Sequence, residues 1–317
     1  MPDNKKPSYG GQAVIEGVMM RGRRFWALAV RRPDKKITTR VYKESSFMTK
    51  NKFLGFFFIR GMVALVENLM IGFKALSFSV GESTGEEIEF SKKEMVISLI
   101  IALIFTVGVF FVLPMFIGRT FTDRVENAFL YNLYEGLIRI GFFLVYILIV
   151  SLLKDIKRLF QYHGAEHKTI QAYESGVDLT VENVKKYSTQ HVRCGTSFLL
   201  IVMFVAVFVF ALLGKPPLYL RLISRIVLIP VIAGIAYELI RLAGRFSHKK
   251  IVYILFYPGL LLQKATTRQP DDNQIEVAIH SLKALIESEE SGVIASKYIS
   301  EQEPQKEKEL TQDAGPS

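Results

Sequence analysis

Residues 95–118, MVISLIIALIFTVGVFFVLPMFIG, contain no charged side chain. At about 1.5 Å of rise per residue, a helix over this stretch crosses a hydrocarbon core about 30 Å thick. Pro114 near its end is tolerable in such a setting. Three more apolar runs follow: 136–153, with Arg139 near one end; Phe198 to Gly214, just long enough; and 218–240, with Pro230 inside. Arg221 and Arg225 stand one turn apart near the start of the last run and are expected to snorkel together to the surface. Composition agrees: half of the 317 residues are apolar, 24 are Phe, and mean hydropathy is +0.26. The fold class is mainly α, a polytopic helical membrane protein of about four transmembrane helices plus an interfacial helix, with a small N-terminal β-hairpin unit.

Toward the N-terminus, 53–80 is apolar except for Arg60, Glu67 and Lys74, which fall near one helical face with Asn68 beside them. We read 51–82 as an interfacial or partly inserted helix rather than a full span, its polar stripe a packing network or a solvated face. Before it, WALAVRR (26–32) and KITTRVYKE (36–44) flank Pro33-Asp34-Lys35, a turn between β-branched strands. Residues 9–50 therefore form a small β-rich unit. Residues 1–8 and 291–317 have the polar composition of disordered tails. The membrane domain covers 95–250 and contains a long polar loop, 154–197. After it, 251–290 holds a short apolar segment, read as interfacial, re-entrant or packed on the bundle, and an amphipathic helix opened by Pro270-Asp271-Asp272.

The net charge is +10. No recognition motif accompanies it, so nucleic acid is not the expected partner. The basic residues instead cluster in 154–197 and after the fourth span, which places these segments and both termini in the cytoplasm of a bacterial inner (plasma) membrane. The lone cysteine, Cys194, excludes an intrachain disulfide. MPDNKK has no apolar run behind it and is not a secretory signal.

The polar loop carries the chemistry. It contains YHGAEHKTIQAYE (162–174) and QHVRCGTSF (190–198). On a helix, His163, Glu166 and His167 share a face, and two imidazoles one turn apart reach a single ion. The H-x-x-E-H spelling matches an inverted zinc motif in which the glutamate accepts a proton from activated water. Cys194 is the best third ligand for a divalent metal, zinc above all; His191 and Glu174 are alternatives. Four closed ligands, His163, His167, His191 and Cys194, make a structural site, whereas three make a catalytic one with Glu166 as base. Helix length poses a difficulty. Ten residues beyond Leu153 project about 15 Å, while Cys194 is only a few residues from its own span. Donors converging within about 4–5 Å would fit zinc bond lengths.

Together with GGQAVIEGVMMRG (10–22) and LLLQKATTRQPDDNQIEVAI (260–279), these strings resemble the YqhQ family of bacterial membrane proteins over roughly residues 9–290. The resemblance implies a metal-dependent enzyme. By position it carries over Gln12, Glu16, Arg21, His163, Glu166, His167, His191, Arg193, Cys194, Gln263 and Glu276. Gln12, Glu16 and Arg21 could wall the 163–194 site or simply belong to a tight small-residue fold.

The leading functional expectation is a membrane-bound metal-dependent enzyme, hydrolytic in class. The alternative is a non-enzymatic scaffold or accessory subunit with a protein partner or a second copy of the chain, and few intramembrane charges disfavour a transporter. In either case the lipid bilayer is a partner.

Overall fold

A computed structural model describes residues 7, 9–43, 46–47, 52–56, 59–85, 92–122, 125–214, 216–246 and 249–298. The expected disordered tails, 1–8 apart from Pro7 and the last tail from 299 onward, lie outside the described residues, as do His248 and most of the charged break after 85.

The N-terminal unit is a four-stranded antiparallel meander: β1 (Gly10–Val14), β2 (Gly17–Arg21), β3 (Phe25–Arg31) and β4 (Ile37–Lys43), in spatial order β1-β2-β3-β4. The expected hairpin is β3–β4, with Trp26 opposite Tyr42 and Ala29 opposite Thr39. The strands β1 and β2 add a second hairpin that the glycines obscured, because Gly depresses strand propensity. Its tight connection places Glu16 at φ 51°.

Side chains alternate along the strands, so each face buries its own set. Val18, Met20, Phe25, Ala27, Ala29 and Val41 face one core. Val14, Met19, Trp26, Leu28 and Val30 face the other. The first face is covered by the helices α5 (Lys154–Glu174) and α11 (Asp272–Ser291). The amphipathic face anticipated for α11 is the centre of this core: Ile275, Ala278, Leu282 and Leu285 are fully buried. Asp271 and Gln274 close a capping box at its start, and Gly292 ends it at φ 77°. Past that glycine the described chain runs on to Tyr298, whose hydroxyl donates to Glu287 at 2.9 Å.

The second face rests on α1 (Ile59–Thr84), through Ile71, Ala75 and Phe78. The other half of α1 packs on the membrane helix α9 (Ile229–Arg245): Gly61 abuts Gly234 and Tyr237, and Arg60 makes two 2.6 Å bonds to Glu238. Glu67 takes an ion pair from Arg21 at 3.0 Å, and Lys74 lies 4.1 Å from the Tyr42 ring centroid. The polar stripe is thus a packing network joining bundle and sheet.

Among the described residues, four helical stretches are long and apolar enough to cross a membrane: Ile59–Thr84, Val96–Gly118, Ala128–Val150 and Tyr219–Gly244. Two differ from expectation. The α1 helix has the length of a span although half of it lies under the sheet. The helix expected at 198–214 is α7 (Gly195–Ala211), whose 17 residues reach about 25 Å. The first apolar run is α2 (Lys92–Val107), a π-helical turn over Gly108–Val112, and α3 (Leu113–Thr122). Pro114 explains the turn: it has no N–H and its ring clashes with the carbonyl four residues back, that of Phe110. The next helix is α4 (Ala128–Val150), and the last run is α8 (Leu218–Val227) plus α9, with Pro230 at the start of the latter. Arg225 does not snorkel with Arg221; it turns inward to Glu135, 4 % exposed. The closing apolar segment is α10 (Lys250–Thr266), and a short α6 (Val181–Val184) lies in the polar loop.

Candidate metal centre

The centre forms where α5, the 185–194 loop, the end of α10 and strand β1 meet. The loop is pinned to α5 by side chains that reach its carbonyls. Lys168 Nζ donates to Lys185 O at 2.9 Å and Tyr187 O at 2.6 Å. Gln171 Nε2 donates to Ser188 O and Gln190 O. Burial holds the Lys168 ammonium below the usual lysine range.

The histidines are oriented from behind by backbone carbonyls. His163 Nδ1 lies 2.8 Å from Thr266 O, and His167 Nδ1 lies 2.5 Å from Thr189 O. A carbonyl only accepts, so each Nδ1 carries the proton and each Nε2 presents its lone pair inward. His163 Nε2 is 3.2 Å from Cys194 Sγ. Ligand atoms of His163, His167 and Cys194 all lie within 4.8 Å of one another, the one such group found among the described residues. The helix-length difficulty is resolved at Ser151–Leu153, where Leu153 adopts extended geometry (ψ 136°) and α5 does not continue the axis of α4. Cys194 caps α7, its sulfur accepting from the Thr196 N–H at 3.4 Å.

Glu166 lies between the imidazoles, 3.5 Å from His167 Nε2 and 4.0 Å from His163 Nε2. Burial pushes its carboxyl above the usual glutamate range, against the opposing fields of His163, His191 and Arg193. Gly11 of β1 covers it: a Cβ there would sit 2.7 Å from Glu166 Cγ and 2.8 Å from Met19 O.

His191 stands beside the donor group rather than in it. Its Nε2 is 3.7 Å from Glu174 Oε2, and Glu174 also pairs with Arg193. Burial works against that carboxylate, but His191 and Arg193 together hold it below the usual range. The backbone of His191 is held by Gln263, which is fully buried. Gln263 Oε1 accepts the His191 N–H at 2.8 Å, and its Nε2 donates to His191 O at 2.8 Å and Ser197 Oγ at 2.9 Å.

Gln12, Glu16 and Arg21 do not wall the centre. Gln12 packs beside Gly72 of α1, Glu16 binds Arg158 and accepts from the Tyr162 hydroxyl, and Arg21 reaches Glu67 and Asn68. The cover is the backbone of β1 at Gly11. The residues the sequence left unassigned are Thr189 and Thr266, which act through carbonyls that leave no side-chain signature. Lys168 and Gln171 could have been suspected as polar residues inside the matched strings, as Gln263 was.

Apolar helices long enough to cross a membrane, capped by a sheet–helix unit with a His–His–Cys donor group at the junction, define a polytopic membrane protein with a candidate metal centre. The comparisons give the family. The model described as "Protein of unknown function (DUF1385)" matches residues 56–288, and a Bacillus subtilis (strain 168) protein described as "Uncharacterized protein YqhQ" is 37% identical over 297 residues, 89% of this chain and 93% of the relative. The chain belongs to this YqhQ family. No solved structure matches it.

Proposed function

We propose that the protein is a metal-dependent enzyme of the bacterial plasma membrane, hydrolytic in class, with zinc held by His163 Nε2, His167 Nε2 and Cys194 Sγ on the cytoplasmic face. The observation that carries this reading is the pair of carbonyls behind the imidazoles. Metal-ligating histidines characteristically donate their second N–H to such an acceptor, which fixes the tautomer. The donor set also fits by distance. Tetrahedral zinc with bonds of about 2.0–2.3 Å separates its donors by roughly 3.5 Å. The His163–Cys194 pair is near that spacing at 3.2 Å, and a separation of up to 4.8 Å needs only modest closure.

When bound, the ion would act as a Lewis acid toward water and a carbonyl or phosphoryl oxygen. The chain's own part falls to Glu166. Its carboxylate lies 3.5 Å from His167 Nε2 and 4.0 Å from His163 Nε2, within reach of water held at the donor group, from which it would take a proton and return it to a leaving group. The buried walls, Cys194 at 5 % and His167 at 2 % exposure, exclude bulk water, while His191, Glu174 and Arg193 orient the loop that carries the sulfur.

Elemental analysis of the purified protein tests the metal. About one equivalent of a transition metal is expected, falling below a tenth in His163→Ala and Cys194→Ser and retained in Glu166→Gln. Less than about a tenth of an equivalent in the wild-type protein refutes the reading.

A second reading is a scaffold or accessory subunit, alone or as a homo-oligomer, in which the donor group only ties the loop to the bundle. The burial of the centre favours it. Deleting α11 would not test this, because that helix is the core of the unit. Crosslinking in cells does: a stoichiometric partner kept by Cys194→Ser supports the scaffold, and the absence of any stoichiometric partner of the wild-type chain, a second copy included, counts against it.

A further inference from the structure

A second polar cluster lies inside the membrane bundle, toward the end far from the sheet. Glu135 and Arg139 of α4 and Arg225 of α8 are 1 %, 4 % and 4 % exposed. Each of Glu135 and Arg225 stands about 10 Å along its helix from that end. About 24 Å of helix separates Glu135 from the break after α4 that leads to the metal centre.

The bonding within it is specific. Arg139 Nη2 donates to Glu135 Oε1 at 2.7 Å, and its Nε donates to Phe110 O at 2.9 Å. That carbonyl is the one Pro114 excludes from the helix ladder, and π-turns of this kind frequently mark functional sites. Arg225 Nη2 reaches both Glu135 oxygens, at 3.0 and 3.2 Å, and Asn132 Oδ1 at 3.1 Å. The amide of Asn132 is held in that orientation because its nitrogen donates to Ala128 O and Gly214 O. The Phe210 ring lies 3.8 Å from the Arg225 guanidinium carbon.

The charges do not balance. One carboxylate faces two buried guanidiniums, and a ring face attracts a cation without neutralising it. Arg221, one turn outward on α8, donates to the Tyr131 hydroxyl at 2.6 Å and Pro216 O at 3.3 Å, and no carboxylate pairs with it among the described residues. The Arg225 Nε is buried and has no acceptor. Excess positive charge at this depth is expensive in a bilayer and marks ligand or ion sites. A buried donor with nothing to receive its hydrogen needs a partner of the same kind.

We propose that the Glu135–Arg139–Arg225 cluster is one wall of an anion site, taking a phosphate-class oxyanion that enters past Arg221 from the bundle end. Glu135 splays and neutralises one guanidinium, and Arg225 offers its remaining donors to the ligand. The phosphate comes either from a lipid headgroup or from free phosphate.

Isothermal titration of the full-length protein in a neutral maltoside detergent tests this, with a chelator present so that an anion held by a metal does not register. The probes are inorganic phosphate, dioctanoyl phosphatidic acid and, as the phosphate-free control, dioctanoylglycerol. One saturable site is expected for phosphatidic acid and none for dioctanoylglycerol. Inorganic phosphate binding the same site assigns a free anion; its failure to bind assigns the lipid. Arg225→Gln should weaken binding at least tenfold. If that variant does not fold, Arg225→Lys, which keeps the balance with Glu135 but loses the planar fork, should weaken it at least threefold. No saturable binding of either phosphate probe to the wild-type protein, or undiminished binding in the variants, overturns the proposal.

Discussion

Replacing Gln263 by Leu removes the amide that clamps the loop carrying the cysteine while nearly preserving its volume. Gln263 is fully buried and satisfies the N–H and C=O of His191 together with the Ser197 hydroxyl. Leu can make none of these bonds. Leaving the His191 N–H unpaired costs about 1–3 kcal/mol, and losing the bonds to His191 O, which keeps the Cys194 N–H, and to the Ser197 hydroxyl costs about 0.5–1.5 kcal/mol each, so the variant loses about 2–6 kcal/mol. For a chain of this size each kcal/mol moves Tm by about 2–4 °C, giving a fall of roughly 4–24 °C. The protein supplies its own reporter. Cys194 is the only thiol and is buried, so a thiol-reactive fluorophore reads unfolding directly in detergent. A second readout follows from the geometry: Cys194 N–H donates to His191 O at 3.3 Å, so a slack His191 misplaces the sulfur and bound metal should fall with Tm. A Tm within about 2 °C of wild type would show that the clamp is not structural and that the reasoning about its buried bonds is wrong.

Other expectations can be checked in the same detergent preparation. Gly11→Val forces a branched side chain into Glu166 and the Met19 carbonyl; overpacking of this kind costs about 1–3 kcal/mol, and a variant as stable as wild type would refute the close approach of β1. In metal-free protein, burial raises the folded-state pKa of Glu166, so its contribution to stability is full below the unfolded value near 4.5 and is lost as pH rises through the folded value. Glu166→Gln, always neutral, should therefore match wild type near pH 4.5 and exceed its Tm at pH 8; a wild-type protein that is the more stable at pH 8 after chelation refutes the assignment. A bound divalent cation favours the carboxylate and reverses that difference. Gly136→Leu drives α4 into Val207 of α7 and should lower Tm by several degrees, whereas an unchanged Tm would separate those helices.

Much of this architecture was legible in the chain because single-segment rules suffice for it. An uncharged run long enough to cross a bilayer announces itself, as does an imidazole pair at one-turn spacing. The apolar face of α11 was also plain, though not that it would be the core of the sheet unit. What escaped were features made by segments far apart in sequence. The β1–β2 hairpin was hidden because its glycines answer to Glu166 and Ala29 rather than to local propensity. Arg225 read as a surface snorkeller because its carboxylate partner lies on another helix. The carbonyls of Thr189 and Thr266 orient the histidines without any side-chain choice at all. The α1 stretch read as interfacial rather than as a span because its polar residues show no partners in the sequence, whereas Arg21, Glu238 and the aromatic rings of the sheet receive them.

The interleaving of sheet and helices fixes an order of events during synthesis. The sheet strands leave the ribosome first, yet the face formed by Val18, Met20, Ala27 and Ala29 waits for α11, the last described long helix. Every membrane helix is made in between. At roughly 5–20 residues per second that interval is on the order of ten seconds or more. During it the sheet face has no cover of its own, and only the return of α11 closes it.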